Sequence, residues 1–204
     1  DHFRGFFQYC EIPGHEPLAM KGQWSSVPTQ DFFATLRESL GYLPFIAEDL
    51  GIITEDVREL MNEEGFPGMK IFVFAFNGDL KNHPYLPHNY KPNCVVYTGT
   101  HDNNTVQGWF QKEASAKEKE NFAQYCGGSV KPAEVHWKFI ELAMMSKANM
   151  AVFPMQDVLG LAEQARLNVP ATVGGNWQWR LVSTLINHCV IQKLTHLTET
   201  SRRG

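Results

Sequence analysis

Three carboxylates offer the most definite chemistry in this 204-residue chain: Asp1, Glu48 and Asp102, spaced by 47 and 54 positions. Cleaving a glycosidic bond with retention takes one carboxylate as nucleophile and one protonated carboxyl as acid, held ~5–5.5 Å apart across the scissile bond. A third carboxylate can steady the positive charge that develops on the sugar ring. Acidic residues at the C-terminal ends of different barrel strands meet that geometry even when they lie far apart in sequence. Glu48-Asp49 and His101-Asp102 each follow a short apolar run, where such a strand would end. Spacing alone fits helix caps and surface acids as well, and on these residues by themselves both readings stay open.

Other chemistries find less support. Cys10, Cys94, Cys126 and Cys189 form no C-x-x-C pair and no zinc spacing, so free thiols in a reducing compartment are expected. The eight histidines are scattered; His83 and His88 flank a Pro-rich loop with no third ligand nearby, so no metal site is expected. Neither G-x-G-x-x-G nor G-x-x-x-x-G-K-[ST] follows any apolar run, which removes the main argument for a nucleotide fold.

The elements that must position the carboxylates alternate between short apolar runs and amphipathic helices. Thr29 is placed to cap a helix with Phe32, Phe33, Leu36 and Leu40 on one face and Gly41 as its stop. Residues 43–47 read as a short buried strand ending in Glu48-Asp49. Thr54 caps a second helix, with Glu55 and Asp56 complementing the macrodipole in its first turn, apolar Val57, Leu60 and Met61, and Gly65 at its end. Residues 69–76 (MKIFVFAF) form a continuous apolar run that predicts a strand buried on both faces. A Pro/Asn/His loop leads to a strand at 94–97, then helices at 115–126 and 132–148, a strand at 150–153, a helix at 157–168, a Gly-rich turn and a C-terminal helix. Within these, Met144-Met145 reads as core and 117–120 as a solvated helix face with i, i+3 charge pairs. Such strand–helix alternation means a parallel α/β architecture, either doubly wound or part of a (β/α)8 barrel. Polar clusters just after the strands favour the barrel.

Composition bounds the rest. The length suits one domain or a large part of one. A charge of −4 supplies no basic field for nucleic acid or an anionic membrane. No apolar run approaches the ~18 residues of a membrane helix. No secretory signal is seen, and because the chain opens on Asp1 rather than Met, the true N-terminus is expected to lie upstream.

The words around the carboxylates carry a resemblance. Asp1-His2-Phe3-Arg4-Gly5-Phe6, Ile46-Ala47-Glu48-Asp49-Leu50-Gly51 and Tyr97-Thr98-Gly99-Thr100-His101-Asp102-Asn103 resemble three motifs of the amylomaltases. These are the 4-α-glucanotransferases, or disproportionating enzymes, of glycoside hydrolase family 77 in the α-amylase clan. Further blocks follow in family order: Gly65-Phe66-Pro67-Gly68-Met69-Lys70, Pro84-Tyr85-Leu86-Pro87-His88-Asn89-Tyr90, Phe153-Pro154-Met155-Gln156-Asp157, and Ala165-Arg166-Leu167-Asn168 through Gly175-Asn176-Trp177-Gln178-Trp179-Arg180.

By motif position, the resemblance implies Asp1 as nucleophile, Glu48 as general acid/base and Asp102 as transition-state stabiliser. It also implies His101 as a sugar contact beside Asp102, and Asn176 and Arg4 as further candidate substrate contacts, Arg4 being equally open to a structural role. Asp49 is expected to orient the Glu48 turn. Trp177 and Trp179 are open to sugar stacking or to core packing. The implied fold is the C-terminal half of a (β/α)8 barrel, strands 4 to 8, with residues 1–204 a partial catalytic domain and the first four units outside the sequence. Glu48 and Asp102 should then sit at one end of a parallel sheet. The implied substrates are α-1,4-glucans and malto-oligosaccharides, with no cofactor, in the cytoplasm or, for a plant or alga, the plastid. The isolated fragment is expected to be inactive. A clan hydrolase and a non-catalytic glucan-binding fragment remain the alternatives. Cys10 stands where relatives often have Trp, and the loop 14–28 departs from the family pattern, which leaves acceptor preference unassigned.

Overall fold

Phenylalanine builds the core that holds the start of the chain. Phe3, Phe33 and Phe66 are buried together with Leu43, Ala47, Val57, Leu60 and Met61, and the Phe3 and Phe66 rings meet edge-on with centroids 5.9 Å apart. Burying one such side chain stabilises by about 1.5–3 kcal/mol, so Phe3 anchors the two residues ahead of it. The structure is a computed structural model that describes residues 1–203, and the chain divides into two units, Asp1–Met69 and Lys70–Gly204.

In the first unit, a 3-10 turn at Phe3–Phe6 leads into β1 (Gln8–Glu11), which pairs antiparallel with β2 (Gln23–Ser26), Gln8 opposite Ser26. Helix α1 (Thr29–Leu40) buries Phe33 and is stopped by Gly41, whose φ of 73° suits a residue without Cβ. Thr29 does not cap it. Pro28 is the N-cap, and the Thr29 hydroxyl donates instead to the carbonyls of Phe6 (2.5 Å) and Val27 (3.2 Å), tying the helix to the N-terminal turn. Helix α2 (Glu55–Glu63) buries Val57, Leu60 and Met61 as their spacing predicts; Thr54 stands at its N-cap without a side-chain capping bond. The strand expected at 43–47 shrinks to one parallel bridge, Ala47 with Gly68.

Strand β3 (Gly68–Ile71) ends earlier than its apolar run, because Phe72–Phe76 winds into a 3-10 helix. An unbroken apolar run marks burial but not backbone form. Here the coil lets Phe72 and Phe76 both pack on Phe139, at 4.9 and 5.6 Å, while the Val73 N–H reaches the Thr98 carbonyl at 3.1 Å. The sheet order is β3-β4-β5. Strand β4 (Cys94–Tyr97), where the sequence places it, runs parallel to β5 (Met150–Val152), with Tyr97 opposite Val152. Between them, α3 (Val106–Gly108) continues as a π-helical turn at Trp109–Glu113. Helix α4 (Ala116–Tyr125) opens on a Ser115/Glu118 capping box, and α5 (Val135–Met144) buries Val135, Phe139, Ile140 and Ala143. Lys117 and Glu120 pair at 2.9 Å on the exposed face of α4. Met144 is core but Met145 is 63% exposed.

The helix expected at 157–168 is instead the short α6 (Met155–Val158) and a 3-10 turn at Glu163–Ala165, because Gly160 turns the backbone at φ 64°. Helix α7 (His188–Ser201) lays Val190, Leu194 and Leu197 against Ile140 and Met144. The result is an α/β fold with a parallel sheet, and among the described residues no helix is long and apolar enough to cross a membrane.

One buried histidine makes the second unit acid-sensitive. His136 is 7% exposed, and its Nδ1 accepts the Gln107 amide N–H at 3.0 Å. Burial pushes its pKa down to about 4, with Lys193 acting in the same direction. Between pH 6.5 and about 4 the unfolded chain takes up a proton that the folded one refuses, so stability falls as pH falls through that window. His136→Gln keeps an acceptor for Gln107 and removes the titration. Its melting temperature should drop a few degrees less than wild type between pH 7 and pH 5 in paired thermal melts, groups common to both cancelling.

Candidate active site

Glu48 is fixed from three sides within the first unit. Its carbonyl accepts the Phe3 N–H at 3.0 Å. Its carboxylate accepts the His2 N–H through Oε2 at 2.6 Å and the Leu50 N–H through Oε1 at 3.0 Å. His2 adopts the left-handed conformation (φ 56°, ψ 57°), which turns its N–H onto that carboxylate. Asp1, exposed, is bonded directly to the nitrogen that Glu48 holds. The two acids 47 positions apart in sequence are therefore neighbours in space.

Asp49 supports this turn from behind. Its Oδ1 accepts the Met69 N–H at 2.7 Å, and a Cβ on Gly68 would come within 2.5 Å of its Oδ2, so a larger residue there would push the Asp49 carboxylate aside. Arg4 is engaged within the unit: it donates to the Ile52 carbonyl and to Gln8 Oε1, both at 3.3 Å, and its guanidinium lies 4.7 Å from the Trp24 ring centroid. That geometry suits a structural role for its charge.

In the second unit, His101 and Asp102 ride on the segment that leaves β4. Asn103 closes its turn by accepting the Thr100 N–H at 2.8 Å. Asp102 Oδ1 accepts the Asn168 Nδ2–H at 2.5 Å and stands 3.4 Å from His101 Nε2. Arg166 clamps the same place, donating from Nη2 to the Asp102 carbonyl at 2.8 Å and from Nε to the Asn168 carbonyl at 2.9 Å. Its Nη1 pairs with Glu113 at 3.0 Å, and Glu113 also accepts from Asn104 at 2.9 Å. The His101 ring lies 5.1 Å from Trp177. Trp177 is 53% exposed, which fits a stacking face better than core.

Asn176 sits nearby, but its amide holds its own loop together: Oδ1 accepts the Val169 N–H and Nδ2 donates to Thr172 Oγ1, each at 2.9 Å. A cavity of about 200 Å³ lies between this segment and α6, lined by Thr100, His101, Asn103, Asp157 and Arg166 among others. Burial pushes the Asp157 carboxyl up to about 6, against the pull of its bonds to Thr98 and Val106. Among the described residues no three histidine, cysteine or acidic side chains gather as metal ligands.

The sequence-predicted site residues thus fall into two groups, Asp1, Arg4 and Glu48 in the first unit and His101, Asp102 and Asn176 in the second. Four residues of this neighbourhood had no assigned part: Arg166, Asn168, Glu113 and Asp157. Their only signal was that Arg166, Asn168 and Asp157 lie in blocks such as ARLN and FPMQD; their partners are 51 to 66 positions away.

The chain is similar to several known proteins. The 4-alpha-glucanotransferase of Synechocystis sp. is 46% identical over 201 residues, 98% of this chain and 39% of that protein. The enzyme of the same name from Thermus thermophilus is 45% identical over 188 residues, 89% of this chain and 37% of that protein. The solved amylomaltase from Streptococcus agalactiae in complex with acarbose superposes with a TM-score of 0.94 at 37% identity, over 100% of this chain and 41% of that one. The chain thus spans about two fifths of the length of these relatives. The sequence profile of glycoside hydrolase family 77, 4-alpha-glucanotransferase, matches residues 1–185. The chain belongs to that family.

Proposed function

We propose that this chain is the C-terminal half, strands 4 to 8, of a (β/α)8 catalytic domain whose complete form is a 4-alpha-glucanotransferase. A whole barrel takes ~250 residues or more, so the first four βα units would precede residue 1, and residues 1–204 alone would be inert. The observation that supports the reading is the 2.6 Å bond from the His2 N–H to the Glu48 carboxylate, which brings the backbone next to residue 1 up to Glu48.

In the complete enzyme, Asp1 attacks the anomeric carbon of an α-1,4-glucan while Glu48 protonates the departing 4-oxygen, leaving a glycosyl ester on Asp1. Glu48 then takes the proton from the 4-hydroxyl of an acceptor glucan or glucose, which displaces the ester with a second inversion. Asp102 stabilises the positive charge on the ring in both steps, with His101 on the same sugar. Arg4 braces the segment after Asp1 through Ile52 and Gln8, Asn176 holds the loop that precedes Trp177, and Trp177 offers the apolar face of glucose a surface. The partners are α-1,4-glucans and malto-oligosaccharides; the compartment is the cytoplasm, or the plastid in a plant or alga, as in the chloroplastic/amyloplastic relative of Solanum tuberosum.

Maltotriose tests the reaction class. The complete enzyme should convert it to a ladder of shorter and longer oligomers with little rise in reducing ends. Glucose and maltose with rising reducing ends would instead mean hydrolysis, and binding without turnover a lectin-like role.

A further inference from the structure

We infer that Asp157 is a positioning residue for this reaction, one carboxylate pinning both ends of the segment that carries His101 and Asp102. The inference rests on the roles proposed above for those two residues.

The placement begins with the sheet. Parallel pairing sets Tyr97 of β4 opposite Val152 of β5, and α6 starts soon after β5, bringing Asp157 beside the segment that leaves β4. Asp157 Oδ2 accepts the Thr98 hydroxyl at 2.5 Å and Oδ1 accepts the Val106 N–H at 2.7 Å. Thr98 follows the last residue of β4, and Val106 is the first residue of α3. His101 and Asp102 lie between these two anchors, whose separation is set by the bite of one carboxylate.

The site is buried: Asp157 is 1% exposed, and Thr98 and Val106 are fully buried. Among the described residues, Asp157 forms no ion pair. A carboxylate buried without a cation is costly, and an apolar side chain would fill the same space more favourably. What an apolar residue lacks is two short, directional, charge-assisted bonds to two points of the backbone segment. From the other side, Asn168 and Arg166 hold Asp102 by its carboxylate and its carbonyl. Asp157 thus supplies the inner tether and Arg166 with Asn168 the outer one. Asp157 does not need to touch the sugar, since it acts through the placement of Asp102.

The test uses the complete enzyme with Asp157→Ala, Asp157→Asn, Thr98→Val and Thr98→Ser, assayed on maltotriose below the melting temperature of each. A misplacement of ~1 Å at a reacting group costs about 10²-fold. Asp157→Ala should therefore lose about 100-fold in kcat with KM changed less than about threefold, because the contact to the transition state depends most on distance. Asp157→Asn, which keeps an acceptor for Val106 and a partner for Thr98, should recover to within about tenfold of wild type. Thr98→Val should lose about tenfold, and Thr98→Ser, which restores the hydroxyl, should stay within about twofold. These expectations scale that same positioning cost to one tether or none.

Folded Asp157→Ala and Thr98→Val enzymes with wild-type kcat and only a lower melting temperature would overturn the inference, leaving Asp157 a packing residue. If Asp157→Ala does not fold, the Thr98→Val and Thr98→Ser pair decides alone. Wild-type enzyme with no action on maltotriose would overturn the underlying reading, and this inference with it.

Discussion

Glutamine in place of Glu48 in the complete enzyme should lower kcat on an unactivated glucan by about 10²–10⁴-fold while sparing the first step with α-maltosyl fluoride. A glucan leaves as an alkoxide unless it is protonated, and the amide has no proton to give. Fluoride leaves without that help, so Asp1 still forms its ester. Removal of the ester then lacks a base, so the second step becomes limiting. The structure also says what the variant disturbs: the carboxylate receives two N–H donors, from His2 and Leu50, and an amide can accept only one of them through its oxygen. That loss costs about 1 kcal/mol of stability, which a thermal melt separates from the kinetic effect. Single-turnover assays of the first step with both donors check the expectation; equal losses of that step on glucan and fluoride would contradict an acid role for Glu48.

Asp102→Asn should behave differently. Its effect lies in the charge-stabilised transition state of both steps, so glucan and fluoride should suffer alike, by about 10²–10³-fold. The change is close to a pure removal of charge, because an asparagine oxygen can still accept the Asn168 amide that Asp102 Oδ1 accepts at 2.5 Å. A fluoride donor that rescues the first step of Asp102→Asn as it rescues that of Glu48→Gln would place Asp102 in the wrong role. Comparing the two variants on the two donors therefore separates proton transfer from charge stabilisation.

Local pattern made much of this legible. The strand at 94–97, the buried Val57, Leu60 and Met61 of α2, and the extent of α4 follow from local residue patterns, whereas of the face expected on α1 Phe33 is buried and Leu40 is exposed. The acids at 48 and 102 stood out because they follow short apolar runs, and Asp1 because of the family-like motif that it opens. What failed depended on distant partners. Residues 72–76 are as apolar as a strand, and only packing on Phe139 shows that they coil. Thr29 has the type of a cap but finds the Phe6 carbonyl 23 positions away. The segment 157–168 has helical spacing, yet Gly160 breaks it, and its later residues turn to Asp102 through Arg166 and Asn168. Asn176 lies in a family block, and only the folded loop shows its amide holding Val169 and Thr172. The supports of the site are long-range bonds, which no window of sequence displays.

The most direct measurement of the central claim is the address of the covalent sugar. Glu48→Gln enzyme exposed to α-maltosyl fluoride should gain one maltosyl mass in intact mass spectrometry, and proteolytic mapping should place it on Asp1, with no adduct on an Asp1→Asn enzyme under the same conditions. A sugar mapped to Asp102, or normal turnover of the fluoride with no adduct at all, would contradict the account.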